Sequence, residues 1–437
     1  MEHLVRGIID EMFDKFVEIR RDFHQHPELG LKEIKTADKI ESYLKKWQVE
    51  EVRRINGTSV VGIIKGNHDD DAPLGTGSTN ATKVASLTGA RQVLVKPNAE
   101  SLLEVDSPDA LVIALRADID ALPIAEKSTH SYQSKYKGKM HACGHDVHTT
   151  IQLGAAYILS QIRETLPGSV KLFFQQAEET VGGAKTLIEA GVLDNPYVSH
   201  VLGMHVCPKL NVGTFGIKYG VGYASSDTIT IDVYGHAAHA AAPQDGVDAI
   251  VVASNIVSAL QTLISRNTSA LDSAVLSFGT IEGGQAHNVI CDHVRIRGTM
   301  RTLDEPLRKM LKGRLFEVVT HIARGYGAQV SLSIETGYDA VCNDDHTTAV
   351  VEAVAKKVLG DERVIKLKHP SLGVEDFAYF AKMRPSSYNR LGVANPTKGI
   401  TAPVHDPQFD VDEEAIRYGI LIQVMSVFAL LGVEYDD

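Results

Sequence analysis

Apolar residues along the chain recur at spacings that change from one stretch to the next, and each spacing predicts a different element. Near the start they recur at helical intervals, so we expect amphipathic helices over 3–24 and 33–47. Uninterrupted apolar runs, which are typical of buried strands, follow at 58–65, 110–115, 169–176 and 199–206. Helices predicted after Asp146 and over 183–190 separate the later runs. Buried strands that alternate with helices predict an α/β layer with a largely parallel sheet.

The pattern changes at about residue 220 into a compact β-α-β-β-α-β order, which is typical of the ferredoxin-like motif. The predicted elements are a strand at 228–234, a helix at 246–266, strands at 273–281 and 288–302, a helix at 305–324 and a strand at 328–335. Helical patterns then resume at 345–358 and 411–432. We therefore predict one α/β domain, built from residues 1–219 and 339–437, with a second domain of residues 220–338 inserted into it.

Between the early strands, residues 66–109 are rich in Gly, Asp, Ser, Thr and Asn, which predicts a flexible, solvated insertion. The composition of the whole chain excludes some functions. Its 437 residues carry a net charge of −11, which argues against binding to nucleic acid or to an anionic membrane. We find no uninterrupted apolar run of membrane-spanning length and no secretory signal. With only four dispersed cysteines, the sequence favours a cytoplasmic protein.

Histidine stands out in this composition, with 18 residues, several of them in tight groups. The densest group is MHACGHDVH at 140–148, which includes Cys143 and His145 at the predicted start of a helix. Thiolate, imidazole and carboxylate are the ligands that a borderline-soft divalent metal prefers. A polar helix cap with surface histidines is the alternative for this group taken alone.

Three other stretches add candidate ligands. Glu178 and Glu179 are adjacent in QQAEETVGG, so one could bind a metal while the other reaches a water on it, although a solvated charged turn is the commoner fate of such a pair. His205 lies in GMHVCP and His405 in APVHDPQF, and each alone carries little weight. Taken as a set with Cys143, these ligands predict two metal ions that share a bridging ligand, for which the thiolate of Cys143 is suited.

The motifs in their order along the chain resemble the dinuclear metal amidohydrolases of the aminoacylase and carboxypeptidase G superfamily. Within it, they are most similar to the branch of N-acyl-amino-acid amidohydrolases, hippurate hydrolases and auxin-conjugate hydrolases. The matching stretches span nearly the whole chain: RRDFHQHPELG, ALRADIDALPI, MHACGHDVHT, QQAEETVGGAKTLIEAGVL, GMHV, GHAAHAAAPQDGVDAI, HNVICDHVRIRGTMRT, GVEDFAYF and VHDPQF. The chain departs from the usual pattern at Gln244, Cys291 and Val374, so the resemblance does not define which acyl group the pocket accepts.

The resemblance implies a zinc-exopeptidase-like catalytic α/β domain with an inserted ferredoxin-like lid and dimerisation domain. It also implies a role for each matching residue. The implied metal ligands are Cys143, His145, Glu179, His205 and His405. Glu178 matches the general acid/base, and His239, rather than the nearby His236, matches a histidine that reaches the substrate carbonyl across a dimer. Asn288 and Arg301 match substrate-binding positions, and Asp118 and Asp120 would orient the metal ligands.

The expected reaction is metal-dependent hydrolysis of the amide bond of a small N-acyl amino acid, with a metal-bound water activated by Glu178. The expected cofactors are two divalent metal ions per chain, which could be Zn, Mn, Co or Ni, and the expected assembly is a homodimer or larger homo-oligomer. Two other activities remain open, a dipeptidase or carboxypeptidase and an N-acetyl-diaminopimelate-type deacetylase. The intact ligand set argues against a non-catalytic binding protein.

Overall fold

The computed structural model describes residues 1–66 and 111–433, so the predicted insertion at 66–109 lies, apart from Gly66, outside the described residues. The strands of this part of the chain are β1 (Glu50–Ile55), β2 (Ser59–Ile64), β3 (Val112–Asp118), β4 (Ser169–Gln175), β5 (His200–Asn211), β6 (Phe215–Ile217), β7 (Gly220–Tyr223), β8 (Asp227–Tyr234), β9 (Ala274–Gly283), β10 (His293–Thr302), β11 (Gln329–Thr336), β12 (Val341–Asn343), β13 (Val364–Lys366) and β14 (Ser386–Ala394). The helices are α1 (Glu2–Gln25), α2 (Ile34–Lys46), α3 (His145–Gln161), α4 (Gly183–Glu189), α5 (Ala249–Asn267), α6 (Glu305–Gly325), α7 (Asp345–Leu359), α8 (Ala378–Met383) and α9 (Ala415–Leu430).

Among the described residues, the larger sheet has eight strands in the order β1-β2-β4-β3-β5-β14-β6-β13. Its centre is parallel, because β3 pairs in parallel with both β4 and β5, and β14 pairs in parallel with β5. Every residue of β3 and β4 is buried, as their uninterrupted apolar sequences predict. In their shared register Asp118 lies opposite Gln175, so both strands end at the same edge. That edge is where an α/β sheet presents ligand-binding residues.

Helices cover this sheet, and α3 is the most deeply placed of them. Nearly all of its residues are buried, because α1 and α9 pack against it while it also contacts β3. The first residue of α3 is His145, so the deepest helix of the domain begins at the candidate site.

In the part of the chain that the structure describes, the smaller sheet has four antiparallel strands in the order β11-β8-β10-β9. Its elements follow the β-α-β-β-α-β order that the sequence predicts. Side chains of α5 and α6 pack against it in a hydrophobic core of their own. By length and composition α5 could cross a membrane, but a core helix passes the same test, and residues such as Val252, Ile256 and Leu260 are buried here.

The α/β sheet and the ferredoxin-like insertion that the sequence predicts are therefore confirmed, whereas the domain bounds at 219, 220, 338 and 339 stay predictions. Two predicted strands need correction. The strand expected over 288–302 begins only at His293, because residues 286–290 form a turn beside the loop that carries His239. The strand expected to end at Val206 continues to Asn211 with partly exposed residues.

Candidate functional site

The five predicted metal ligands converge at the edge where the parallel strands end. The ligand atoms of Cys143, His145 and His205 lie within 4.8 Å of one another, and so do those of Cys143, Glu179 and His405. Cys143 belongs to both groups, and its Sγ lies 3.3 Å from Nε2 of His205. The structure thus brings the predicted ligands together around one thiol, while their roles as ligands stay predictions.

A tight backbone at Gly144 allows Cys143 and His145 to face the same space. Gly144 has a φ of 82°, and a Cβ on it would lie 2.5 Å from a methyl group of Val206. Any other residue here would combine an unfavourable conformation with a clash. On the other side of the site, the backbone N–H of His405 donates a 2.8 Å hydrogen bond to the carbonyl of Ala142, which fixes the His405 loop against the Cys143 loop.

In His145 and His205, a hydrogen bond to one ring nitrogen leaves the other nitrogen free to bind a metal. Nδ1 of His205 lies 2.7 Å from the carbonyl oxygen of Val206, so it carries the proton and Nε2 keeps its lone pair. Nδ1 of His145 lies 3.2 Å from Oδ1 of Asp120 and is assigned as the donor in the same way. A carboxylate or carbonyl behind the imidazole is the usual support of a metal-binding histidine.

The electrostatics of the site favour a cation. Within residues 1–66 and 111–433, Nε2 of His145 and Oε1 of Glu179 are buried without a hydrogen-bond partner. Burial lowers the pKa of His145, but Asp118 and Asp120 outweigh it and raise that pKa to about 10. Burial and the carboxylate of Glu179 raise the pKa of the Cys143 thiol, so a thiolate there requires a nearby positive charge. The donor set therefore fits a divalent metal.

Glu178 lies beside this donor set, and Asp120 holds the turn that presents it. The two oxygens of Asp120 accept hydrogen bonds from the backbone N–H groups of Glu178 and Glu179, at 3.1 and 3.0 Å. The preceding residue, Ala177, has a φ of 58°, which turns the chain sharply at the end of β4. Burial, with the carboxylates of Glu375 and Asp376, raises the pKa of Glu178 well above its usual range. A carboxyl group of this kind is suited to accept and return a proton.

A buried arginine below the site was not singled out by the sequence. The guanidinium of Arg116 contacts Asp118 at 2.6 Å, Asp376 at 2.6 Å and Glu375 at 3.0 Å, and all four side chains are buried. The hydroxyl of Tyr388 donates a 2.6 Å hydrogen bond to Glu375. Arg116 lies in ALRAD, and Glu375 and Asp376 lie in GVEDFAYF. These ion pairs therefore join two of the stretches on which the family resemblance rests.

His148 was also left without a role, although it lies in the densest motif. Its Nδ1 lies 2.6 Å from Oδ1 of Asp118, and its Nε2 accepts a 2.9 Å hydrogen bond from the backbone N–H of Val206. Both nitrogens are therefore occupied, and His148 joins the Asp118 carboxylate to the strand that carries His205. Asp120 contacts the predicted ligand His145 and Asp118 contacts His148, while the role of both aspartates in orienting metal ligands stays a prediction.

The remaining predicted residues, His239, Asn288 and Arg301, lie in the inserted part of the chain. None of them hydrogen-bonds or forms an ion pair with the donor set within the described ranges. His239 and Asn288 are exposed, and the backbone of Ala240 donates to the carbonyl of Asn288 at 3.1 Å. Arg301 is half-buried on β10. The single chain therefore assembles the ligands and Glu178 but leaves these three residues apart.

Comparison with known proteins decides the family. The model of "Peptidase family M20/M25/M40" matches residues 114–426, which include all five predicted ligands and Glu178.

The chain belongs to peptidase family M20.

Relatives within the M20 family cover almost the full chain. The N-acetyl-L-cysteine deacetylase of Bacillus subtilis is 37% identical over 92% of this chain and 85% of its own length. Thermostable carboxypeptidase 2 of Saccharolobus solfataricus is 33% identical over 99% of this chain and 98% of its own. A solved Bacillus subtilis structure, described as a dinuclear metal-binding peptidase from the M20 family, is 32% identical with a TM-score of 0.77, over 97% of this chain and 100% of that one.

Membership of the M20 family makes this chain a metal-dependent hydrolase that acts on amide bonds, as the sequence predicted. The predicted fold class, with its inserted domain, is confirmed at the same time. Cytoplasmic localisation, self-association and the identity of the metal stay predictions.

Proposed function

We propose that this M20 hydrolase cleaves the amide bond of N-acyl amino acids, using Glu178 as general acid/base beside two divalent metal ions. The observation that carries the proposal is the buried Glu178 carboxyl, held by Asp120 directly against a Cys/His/Glu donor set. The name of the deacetylase relative and the description of the dinuclear relative support it.

Cys143, His145 and His205 would hold one ion, and Cys143, Glu179 and His405 the other. Bound divalent metals supply Lewis acidity, which makes a water more acidic and an amide carbonyl more electrophilic. Glu178 takes the proton of the attacking water as its oxygen bonds to the carbonyl carbon. When the C–N bond breaks, Glu178 returns that proton to the leaving nitrogen. The products are a carboxylic acid and a free amino acid, and Glu178 ends in its starting state.

Arg301 is the group proposed to hold the substrate carboxylate. It is half-buried, and its Nη1 is a buried donor without a partner among the described residues. A guanidinium binds a carboxylate by two parallel hydrogen bonds, which an ammonium cannot reproduce.

We therefore expect Arg301→Lys to raise KM for an N-acyl amino acid about tenfold or more, with a smaller change in kcat, because a charge-assisted hydrogen bond contributes about 1.5–3 kcal/mol. Steady-state kinetics measure this. Arg297→Lys, at an exposed position four residues earlier on β10, is the matched control. An unchanged KM in Arg301→Lys would remove this residue from substrate binding.

His239 is proposed to stabilise the oxyanion from a second copy of the chain. Its Nδ1 accepts a 3.0 Å hydrogen bond from the backbone N–H of Ala241, so Nε2 carries the proton and is free to donate. Because the side chain is exposed, its removal should leave the fold intact. We expect His239→Ala to lower kcat by about 10²–10³-fold at unchanged melting temperature, whereas His236→Ala in the same loop should change it little.

Mixing subunits tests whether His239 acts between copies. In a hybrid of a Glu178→Gln chain with a His239→Ala chain, one site would keep both residues if His239 acts across the dimer. Activity should then rise, towards a quarter of the wild-type value, when the two inactive variants are refolded or exchanged together. No recovery in verified hybrids would place His239 in the same chain as the Glu178 it serves.

A substrate panel tests the function itself. N-acetyl-, N-benzoyl- and indole-acetyl-amino acids, N-acetyl-diaminopimelate and unblocked dipeptides are offered to metal-stripped protein, and again after addition of Zn, Mn, Co or Ni. We expect metal-restored cleavage of acyl-amino acids with a free carboxylate. Preferential cleavage of dipeptides would instead favour the activity named for the carboxypeptidase relative. If the protein cleaves none of these substrates and binds none of the added metals, the proposal is contradicted.

A further inference from the structure

A second group of potential metal ligands lies outside the site described above, on the far side of Asp146. It consists of His24 at the end of α1, Glu126 and His130 in the loop after β3, and Asp410 in the segment before α9. Nε2 of His24 lies 3.2 Å from Oε1 of Glu126. Nε2 of His130 lies 3.6 Å from the same oxygen and 3.7 Å from Oδ2 of Asp410. The two imidazole nitrogens and the Glu126 oxygen thus lie within 4.8 Å of one another, and Asp410 adds a second carboxylate beside His130.

The histidines of this group are oriented as metal-binding histidines are. Nδ1 of His24 lies 2.8 Å from Oδ2 of Asp146, which leaves Nε2 facing Glu126. The ring of His130 stacks on Tyr132, with ring centres 3.9 Å apart, and this fixes the direction of its Nε2. That nitrogen is buried and has no hydrogen-bond partner among the described residues. A buried, oriented nitrogen without a partner needs a ligand.

The backbone around the group is held in place from both sides. Lys127 donates its backbone N–H to the carbonyl of Pro407 at 2.8 Å, and Lys135 donates to the carbonyl of Gln25 at 2.9 Å. The second oxygen of Glu126 accepts a 2.7 Å hydrogen bond from the backbone of Ser134. The ligand atoms are therefore set by the fold and do not depend on long free side chains.

The charges also favour a cation at this point. Asp146, Glu126, Asp410 and Glu413 supply four carboxylates. Arg20 and Arg21 supply two guanidinium groups, which contact all of these carboxylates except Glu126. With neutral histidines the group keeps two negative charges, which one divalent ion neutralises. Protonation of His24 is the alternative way to balance part of this negative charge. Burial and Arg20 lower the pKa of His24, but Asp146 and Glu126 raise it more.

We propose that His24, Glu126, His130 and Asp410 form a third divalent-cation site, separate from the donor set around Cys143 and suited to Zn²⁺. Two imidazoles and two carboxylates are a zinc-type ligand set, and they contain no sulfur. The sequence assigned no role to any of these four residues.

Such an ion would brace the candidate active site without touching substrate. Asp146, which orients His24, is the neighbour of His145 in the first turn of α3. Asp410 and His405 lie on the same short segment, whose backbone contacts Ala142. The third site would therefore join three distant parts of the chain at the point where they present His145 and His405.

The test is metal content of the full-length protein after equilibration with buffered zinc. We expect His130→Gln to hold one zinc ion fewer per chain than wild type, and Glu126→Gln to do the same. His26→Gln, which changes a partly exposed histidine two residues from His24, is the matched control and should keep the wild-type content. Melting temperatures of all variants verify that they are folded.

Equal zinc content in wild type and in folded His130→Gln would overturn the proposal. Cobalt spectroscopy separates this site from the other one, because only the donor set around Cys143 can give a thiolate-to-cobalt charge-transfer band. In Cys143→Ser the third site should still bind Co²⁺, and adding His130→Gln should remove one Co²⁺ per chain together with part of the ligand-field absorption. Loss of all Co²⁺ binding in Cys143→Ser would also contradict a separate site. Neither readout depends on hydrolysis, so the outcome stands whether or not the proposed substrate class is right.

Discussion

Replacing Glu178 with glutamine is expected to lower kcat by about 10²–10⁴-fold, which is the range for loss of a positioned general acid/base. Glutamine keeps the size and shape of the side chain but cannot take a proton from water and return it to nitrogen. The backbone N–H of residue 178 will still donate to Asp120, so the turn that presents the side chain should persist. KM should change little, and steady-state kinetics with the best panel substrate measure both constants.

The neighbouring glutamate offers a matched comparison. Glu179→Gln makes the same chemical change one residue later, where the side chain faces Cys143 and His405. We expect this variant to lose bound metal together with activity, whereas Glu178→Gln should keep its metal content by elemental analysis. Activity within a few-fold of wild type in Glu178→Gln would remove that residue from the proton-transfer role.

The largest loss of stability is expected from Arg116→Met. Methionine fills much of the same volume, but the change leaves Asp118, Glu375 and Asp376 buried without the cation that they share. Removal of one partner from a buried ion pair costs about 3–5 kcal/mol, because the remaining charge is not resolvated. Urea unfolding followed by circular dichroism measures the free energy of unfolding.

Arg295→Met is the control for this experiment. Arg295 makes a 2.8 Å ion pair with Asp232 on the inserted sheet, but its side chain is half exposed, so solvent replaces the partner when it is lost. The unfolding free energy of that variant should stay close to wild type. If the unfolding free energy of Arg116→Met also stayed close to that of wild type, the three carboxylates would have to be neutral in the folded protein.

Most of the candidate site was predictable from the sequence because its ligands lie in short motifs. Glu178, Glu179 and His205 follow or interrupt apolar runs that form parallel strands, while Cys143 and His145 lie at the start of a buried helix. The spacing of apolar residues likewise predicted the order of elements in the inserted sheet. His405 had no local signal of its own and was predicted only as a member of this set of ligands.

The supporting residues could not be predicted, since nothing near them in the sequence identifies their partners. Arg116 meets Asp376, which lies 260 residues later. The central strand β14 was missed although it is almost entirely buried, because its sequence SSYNRLGVA mixes polar and apolar residues. The positive φ of 58° at Ala177 and of 66° at His405 depends on tertiary contacts that no local pattern encodes.

The deep burial of α3 has a consequence for the order in which parts of the protein fold during translation. Its surface is covered by α1, which precedes it along the chain, and by α9 (Ala415–Leu430), which is synthesised long after it. The larger domain therefore cannot close its core until α9 has been synthesised. The strands of the inserted sheet and the two helices that pack on it all lie in the continuous stretch 227–336. This part can therefore fold as soon as that stretch has been synthesised. During translation the middle of this chain should fold before either of its ends, and the exposed α3 is the segment that chaperones would have to shield.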